Sequence, residues 1–127
     1  MREILFRGKD LHKKEWVYGN LFISEKVHEN GYDYCIMEIS ANCRTAYVKK
    51  RTIGQYTGLQ DKNGNKIFEG DILSYTADGT TDYYEVKIDD GSVRFGELEE
   101  TLDQQCALQF EVFGNIHDNP LFSPSRF

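Results

Sequence analysis

Cysteine, proline and long apolar runs are all scarce in this sequence, and each scarcity removes a class of protein. Its three cysteines, Cys35, Cys43 and Cys106, form an odd set without CxxC spacing. They read as reduced, buried, inert thiols rather than as a disulfide framework or a redox pair. Zinc needs three or four clustered Cys and His ligands, and His12, His28 and His117 stand isolated along the chain. Only two prolines interrupt it. The apolar runs are a few residues long, too short to span a bilayer. The opening Met1-Arg2-Glu3-Ile4-Leu5-Phe6-Arg7 breaks its apolar run with charge too early for a signal peptide, so the expected compartment is the cytoplasm. There is no GxSxG elbow, no phosphate loop and no adjacent nucleophile–base pair. Twenty-one acidic residues make close carboxylates unavoidable by chance. Glu69 with Asp71, or Glu99 with Glu100, is therefore no glycosidase signature. The expectation is a protein that is not an enzyme and carries no cofactor or metal.

Aromatic residues and turn residues are what the chain has in plenty. Eight Tyr, eight Phe and one Trp make 13% of it aromatic, beside eleven Gly. Its 127 residues suit one domain or two very small lobes. A chain of this length buries roughly two-thirds of its unfolded surface and folds without a metal or disulfide. Short apolar runs at 4–7, 16–22, 34–39, 46–48, 72–75, 84–88, 93–98 and 108–116 read as strands. Between Trp16 and Phe22 the alternation sets Trp16, Tyr18 and Asn20 on one face and Val17 and Leu21 on the other. Asn63-Gly64 and Asp90-Gly91 are hairpin turns, Asn30-Gly31 and Asp78-Gly79 are turn signals, and Glu69-Gly70-Asp71 is a turn feeding a strand. Gly64 and Gly70 are expected at positive φ. One short helix is expected over 97–105, with Leu98 and Leu102 spaced i, i+4. Strands with turn signals every 8–12 residues predict a mainly β fold with at most one or two short helices.

Asp61-x-Asn63-x-Asn65 copies the first three ligands of an EF-hand loop, and the match then fails. The sixth position needs Gly and holds Lys66, and the twelfth needs Glu and holds Ile72. The loop reads as a hairpin turn.

Charge is divided unevenly. Residues 1–70 carry twelve Lys/Arg against nine Asp/Glu, and residues 71–127 carry three against twelve. Such a division suits two lobes, head-to-tail self-association, a basic partner for the second half, or a solvated acidic face. The candidate interaction surface is Trp16, Tyr18, Tyr47, Lys49, Lys50, Arg51 and Tyr56, aromatics beside a basic triplet. Tyr47, Lys49, Lys50, Arg51 and Tyr56, or Arg7, Lys9, Lys13 and Lys14 near Trp16, would suit single-stranded nucleic acid, although a net charge of −6 disfavours it.

Several blocks together resemble the YopX protein family of bacteriophages and prophages. Arg2-Glu3-Ile4-Leu5-Phe6-Arg7-Gly8-Lys9 is similar to its opening, and Trp16-Val17-Tyr18-Gly19-Asn20-Leu21 to its second block, where Asp is often found in place of Asn20. The block from Thr52 to Leu73 is similar to its signature, and the stretch from Phe110 to Leu121 to its closing block. Residues 74–108 resemble it least. The resemblance implies an N-terminal β segment, 1–52, packed on a C-terminal SH3-like β-barrel or roll, 53–127. It implies a phage or prophage origin in a bacterial host cell. It supplies no activity, no catalytic residue and no ligand-binding residue. The expected function is a non-enzymatic module acting through protein–protein contact, including contact with itself. The alternative is a nucleic-acid-associated phage accessory protein.

Overall fold

A computed structural model describes residues 3–24, 33–38 and 44–119. The turn expected at Asn30-Gly31 lies outside the described residues, as do His28 and Cys43. The chain is mainly β, with eleven strands, a single turn of α-helix and a short 3-10 turn among the described residues. It divides into two compact units, Glu3–Tyr56 and Thr57–Phe127.

The first unit holds β1 (Phe6–Lys9), β2 (Trp16–Ser24), β3 (Asp33–Glu38), β4 (Thr45–Val48), the 3-10 turn Lys50–Thr52 and the start of β5 (Gly54–Gln60). Its strands are antiparallel in the order β4-β3-β2-β1, and Gly54 and Gln55 of β5 pair with Arg7 and Phe6. Strand alternation sorts the side chains by face. Val17, Ile36, Ala46 and Val48 form the buried core, with Phe6, Leu21, Tyr34 and Ile53 packed against it. Trp16, Tyr18 and Asn20 point the other way, as the alternation predicts. Gly19 pairs with Glu38 of β3 so closely that a Cβ there would overlap the Met37 carbonyl. The first strand starts later than expected, at Phe6 rather than Ile4, and runs through Gly8 to Lys9. What ends it is Asp10, whose Oδ1 accepts the N–H groups of His12 and Lys13 and folds the chain back toward Trp16.

The second unit continues β5 and adds β6 (Lys66–Phe68), β7 (Asp71–Ala77), β8 (Thr80–Asp89), β9 (Ser92–Phe95), β10 (Glu100–Thr101), α1 (Gln104–Ala107) and β11 (Glu111–Asn115). Five of these strands form an antiparallel sheet in the order β10-β9-β8-β7-β11, an open sheet rather than a closed barrel. Asp78-Gly79 and Asp90-Gly91 are two-residue hairpin loops, the second expected as a hairpin and the first only as a turn. Ala77 pairs with Thr80 and Asp89 with Ser92, and all four loop residues have positive φ, the combination of the type I′ turn. Gly64 and Gly70 also take the expected positive φ, at 82° and 90°.

Three expectations are corrected here. Asn63-Gly64 is not a two-residue hairpin, because only Gly64 has positive φ and the loop is closed by Asp61 N–H donating to Asn65 O at 2.9 Å. The helix expected over 97–105 forms later and shorter. Gly96 and Glu99 have positive φ and make a turn, Glu100–Thr101 returns as β10, and α1 starts only after Asp103. Asp103 caps it by accepting the Cys106 N–H at 2.8 Å. Leu98 and Leu102 do not share a helical face: Leu98 is 86% exposed and Leu102 is in the core. The last strand starts at Glu111, not Leu108, because Leu108 caps α1.

The core of this unit is aromatic and aliphatic. Ile67, Leu73, Val86, Val93, Phe95, Leu102, Ala107 and Phe110 are buried together. The rings of Tyr84, Phe95 and Phe110 meet edge to face with centroids 5.3 to 5.7 Å apart, an arrangement favoured by the ring quadrupole. Each fully buried Ile, Leu or Val contributes about 1.5–3 kcal/mol by removal from water.

Candidate functional site

Most of the polar residues that stand out in the sequence are occupied in holding turns. Asp61 is 1% exposed. Its Oδ1 accepts the N–H groups of Asn63 and Asn65 at 2.9 Å, and its Oδ2 accepts Val112 N–H at 2.8 Å and the Asn65 amide at 3.4 Å. Burial by itself would raise the Asp61 carboxyl. The backbone donors from Val112, Asn65 and Asn63 outweigh it and hold the pKa below the ordinary value. Both oxygens of the would-be first calcium ligand are thus committed to amides. Asp71, also 1% exposed, accepts Phe68 N–H at 2.7 Å. Asn115 accepts the N–H groups of His117 and Asp118 and donates its amide to Asp118 Oδ2 at 3.1 Å. Asp10 is held below the ordinary carboxyl value, chiefly by its bond from Lys13 N–H. Among the described residues no group of three or more His, Cys, Asp or Glu is placed to hold a metal ion.

The described thiols lack the setting of a nucleophile. Cys35 is buried at 1% exposure. The Cys106 thiol is pushed up by burial and then by the carboxylates of Asp103 and Glu100, so it stays protonated near neutral pH.

The candidate surface in the first unit is partly brought together. Trp16 and Tyr18 lie on the β2 face opposite the core, across from Lys9 and Arg7 of β1. Lys9 Nζ stands 5.6 Å and Arg7 Cζ 4.8 Å from the Trp16 ring centre, within cation–π range. Tyr47 is half-buried on β4 and shares that sheet face through its pairing with Cys35. Lys49 follows β4, its N–H bonded to Lys9 O at 3.0 Å, and Lys50 and Arg51 are exposed on the 3-10 turn. Lys50 Nζ lies 5.4 Å from the Tyr34 ring centre. Tyr56 does not belong to this surface. It is 4% exposed, because β5 turns its side chain inward.

The second unit holds a groove of about 690 Å³ that the sequence reading did not single out. Tyr84 of β8 and Phe95 of β9 form its apolar floor, and Leu98 stands exposed at its edge. Asp82, Glu97 and Glu100 line it with carboxylates, and no Lys or Arg is among its described lining residues. Gly96 lets the turn after β9 lie against the Tyr84 ring, 3.2 Å from where a Cβ would sit. Burial, then the charges of Asp82 and Glu100, push the Tyr84 phenol above its ordinary value. The sequence signal was the acid-rich stretch around Glu97–Glu100. A helix over 97–105 would not carry that stretch to Tyr84; the turn after Gly96 does.

Fold and surfaces together define an all-β protein of two antiparallel units whose polar signature is spent on turns. It belongs to the YopX protein family, whose model matches residues 5–122. Among solved structures it is similar to protein EF1440 from Enterococcus faecalis, at 27% identity and a TM-score of 0.63. That likeness covers 94% of this chain and 97% of that one. No curated protein matches the chain. No helix among the described residues is long and apolar enough to cross a membrane.

Proposed function

We propose that this chain is a non-enzymatic β module of phage or prophage origin that works in the bacterial cytoplasm through protein–protein contact. The observation that carries this reading is the groove of the second unit. It joins an aromatic floor, an exposed Leu98 and three carboxylates without a neutralising cation among the described residues. Aromatic anchors with a polar rim are what protein interfaces are made of. The commitment of Asp61, Asp71 and Asn115 to backbone amides supports the same reading, since it leaves those groups structural work. In this reading the second unit is an SH3-like roll. Its support is the order of the strands: a meander from β7 to β10, then one helical turn, then β11 returning beside β7.

Affinity capture from cells that carry the gene, followed by mass spectrometry, tests the reading. The baits are the native chain and Glu97→Lys/Glu100→Lys. A protein recovered with the first and lost with the second is expected. Equal recovery with both baits would overturn the groove as the working surface.

A second reading, a nucleic-acid-associated accessory protein, is favoured by one observation. Lys9 and Arg7 stand over Trp16, with Lys49 bonded alongside, which is the pairing of cations and aromatic planes used on single strands. The net charge of −6 weighs against it. Fluorescence anisotropy with a labelled single-stranded oligonucleotide at low salt decides between them, since saturable binding lost in Lys49→Glu/Lys50→Glu belongs only to the second.

A further inference from the structure

We infer that the groove of the second unit receives the basic turn at Lys50 and Arg51 of a second copy of this chain. The inference rests on the groove's being a protein-contact site and adds its occupant. Charge complementarity is the first argument. Asp82, Glu97 and Glu100 are exposed at the groove and belong to a half with twelve acids and three bases. Lys49, Lys50 and Arg51 are a run of three cations in the half that is net positive.

Shape and chemistry are the second argument. A lysine or arginine has a long apolar stem and a charged head. The groove offers each part its partner: Tyr84 and Phe95 for the stem, carboxylates at the edge for the head. A cation over an aromatic ring gains further attraction, more so when water is displaced. At about 690 Å³ the groove has room for more than one side chain. The donor is presented for this contact. Lys50 and Arg51 are exposed on a 3-10 turn, and the turn is fixed by Thr52 N–H donating to Lys49 O at 2.9 Å and Thr52 Oγ1 donating to the same oxygen at 2.6 Å.

Contact between unlike faces is heterologous, so each copy can give and receive at once. Exposed ion pairs are individually weak, so stem burial and ring contact supply most of the affinity while charge sets orientation. Association is therefore expected to weaken with salt without vanishing at about 1 M, where the screening length is about 3 Å.

Sedimentation velocity of the full chain, at several tens of micromolar, tests this. The native chain should associate at low salt. Glu97→Lys/Glu100→Lys and Lys50→Glu/Arg51→Glu should each weaken association at least about tenfold, the effect of an unfavourable charge contact worth 1.4 kcal/mol. Mixing the two variants in equal amounts should restore a complex, because the basic turn of the first meets the intact groove of the second. Restoration also shows that both variants are folded. A native chain that stays monomeric at low salt, an association indifferent to either reversal, or a mixture that regains nothing would overturn the second copy as occupant. None of these would touch the groove reading itself, which falls only if capture of partners is unchanged in Glu97→Lys/Glu100→Lys.

Discussion

At the scale of single residues, the polar side chains of this chain act as local clamps on the backbone. Asp61 shows the logic most fully. It sits where a cation ligand would sit, yet it is buried and bonded by Asn63, Asn65 and Val112. The spacing of Asp61, Asn63 and Asn65 was legible in the sequence as a turn. The bond to Val112, 51 positions away, was not, because no local pattern encodes it. Asp61→Asn puts an amide donor where the Val112 N–H or the turn amides need an acceptor. We expect it to lower stability by about 2 kcal/mol in urea unfolding at pH 7, the usual cost of stranding a buried donor. The pH dependence follows from the sign of the shift. The folded Asp61 pKa lies below its unfolded value of 3.8, so its stabilising contribution is complete above that value and is lost as pH falls through the folded pKa. Asp10, lowered in the same direction, adds to the same acid limb. Unfolding followed from pH 5 to pH 2 should show a shallower loss of stability in Asp61→Asn than in the native chain. Because the Asp61 oxygens are already taken, saturating calcium and dialysis against EDTA should both leave the melting temperature unchanged. A rise with calcium, reversed by EDTA, would mean that the loop reorganises around the ion.

At the scale of elements, legibility followed the range of the forces involved. The loops at Asp78-Gly79 and Asp90-Gly91 are set by the φ preferences of two adjacent residues, and both stood where the sequence put them. The 97–105 segment did not. Acids and an i, i+4 leucine pair gave it a helical look, yet Gly96 at φ 77° and the pairing of Glu100 with Phe95 draw it into the sheet edge. Local propensity lost there to strand pairing, which depends on a partner elsewhere in the chain. The groove was missed for the same reason, since its rim is that segment. Gly70 offers a test at this scale. Its φ is 90°, its N–H donates to Val86 O at 2.9 Å, and its carbonyl accepts from Ile116 N–H at 3.0 Å. The turn before β7 is thereby tied to β8 and to the residue after β11. Gly70→Val places a β-branched side chain in a left-handed backbone and should cost more than about 1 kcal/mol. An unchanged thermal melt would mean that the turn relaxes to another conformation without losing either bond.

At the scale of the whole molecule, two cores rather than one carry the stability. The charge division falls after residue 70, whereas the structure divides into Glu3–Tyr56 and Thr57–Phe127. Among the described residues of the first unit, Val17, Ile36, Ala46 and Val48 cluster as its core. In the second, eight described residues cluster together, and the rings of two of them, Phe95 and Phe110, interlock with Tyr84. Ile36 is 0% exposed, and Ile36→Ala should cost about 2–5 kcal/mol through lost transfer energy and the cavity left behind. That is a large share of the roughly 5–15 kcal/mol that holds a domain together. Local opening follows the contacts that are weakened. Native-state hydrogen exchange on Ile36→Ala should therefore show protection falling at Val17, Ala46 and Val48 while Leu73 and Val86 keep theirs. Leu73→Ala, equally buried in the second core, should give the reverse pattern. If both variants lowered protection by the same amount throughout, the two units would open as a single cooperative body. The division into units would then be one of contacts and not of stability.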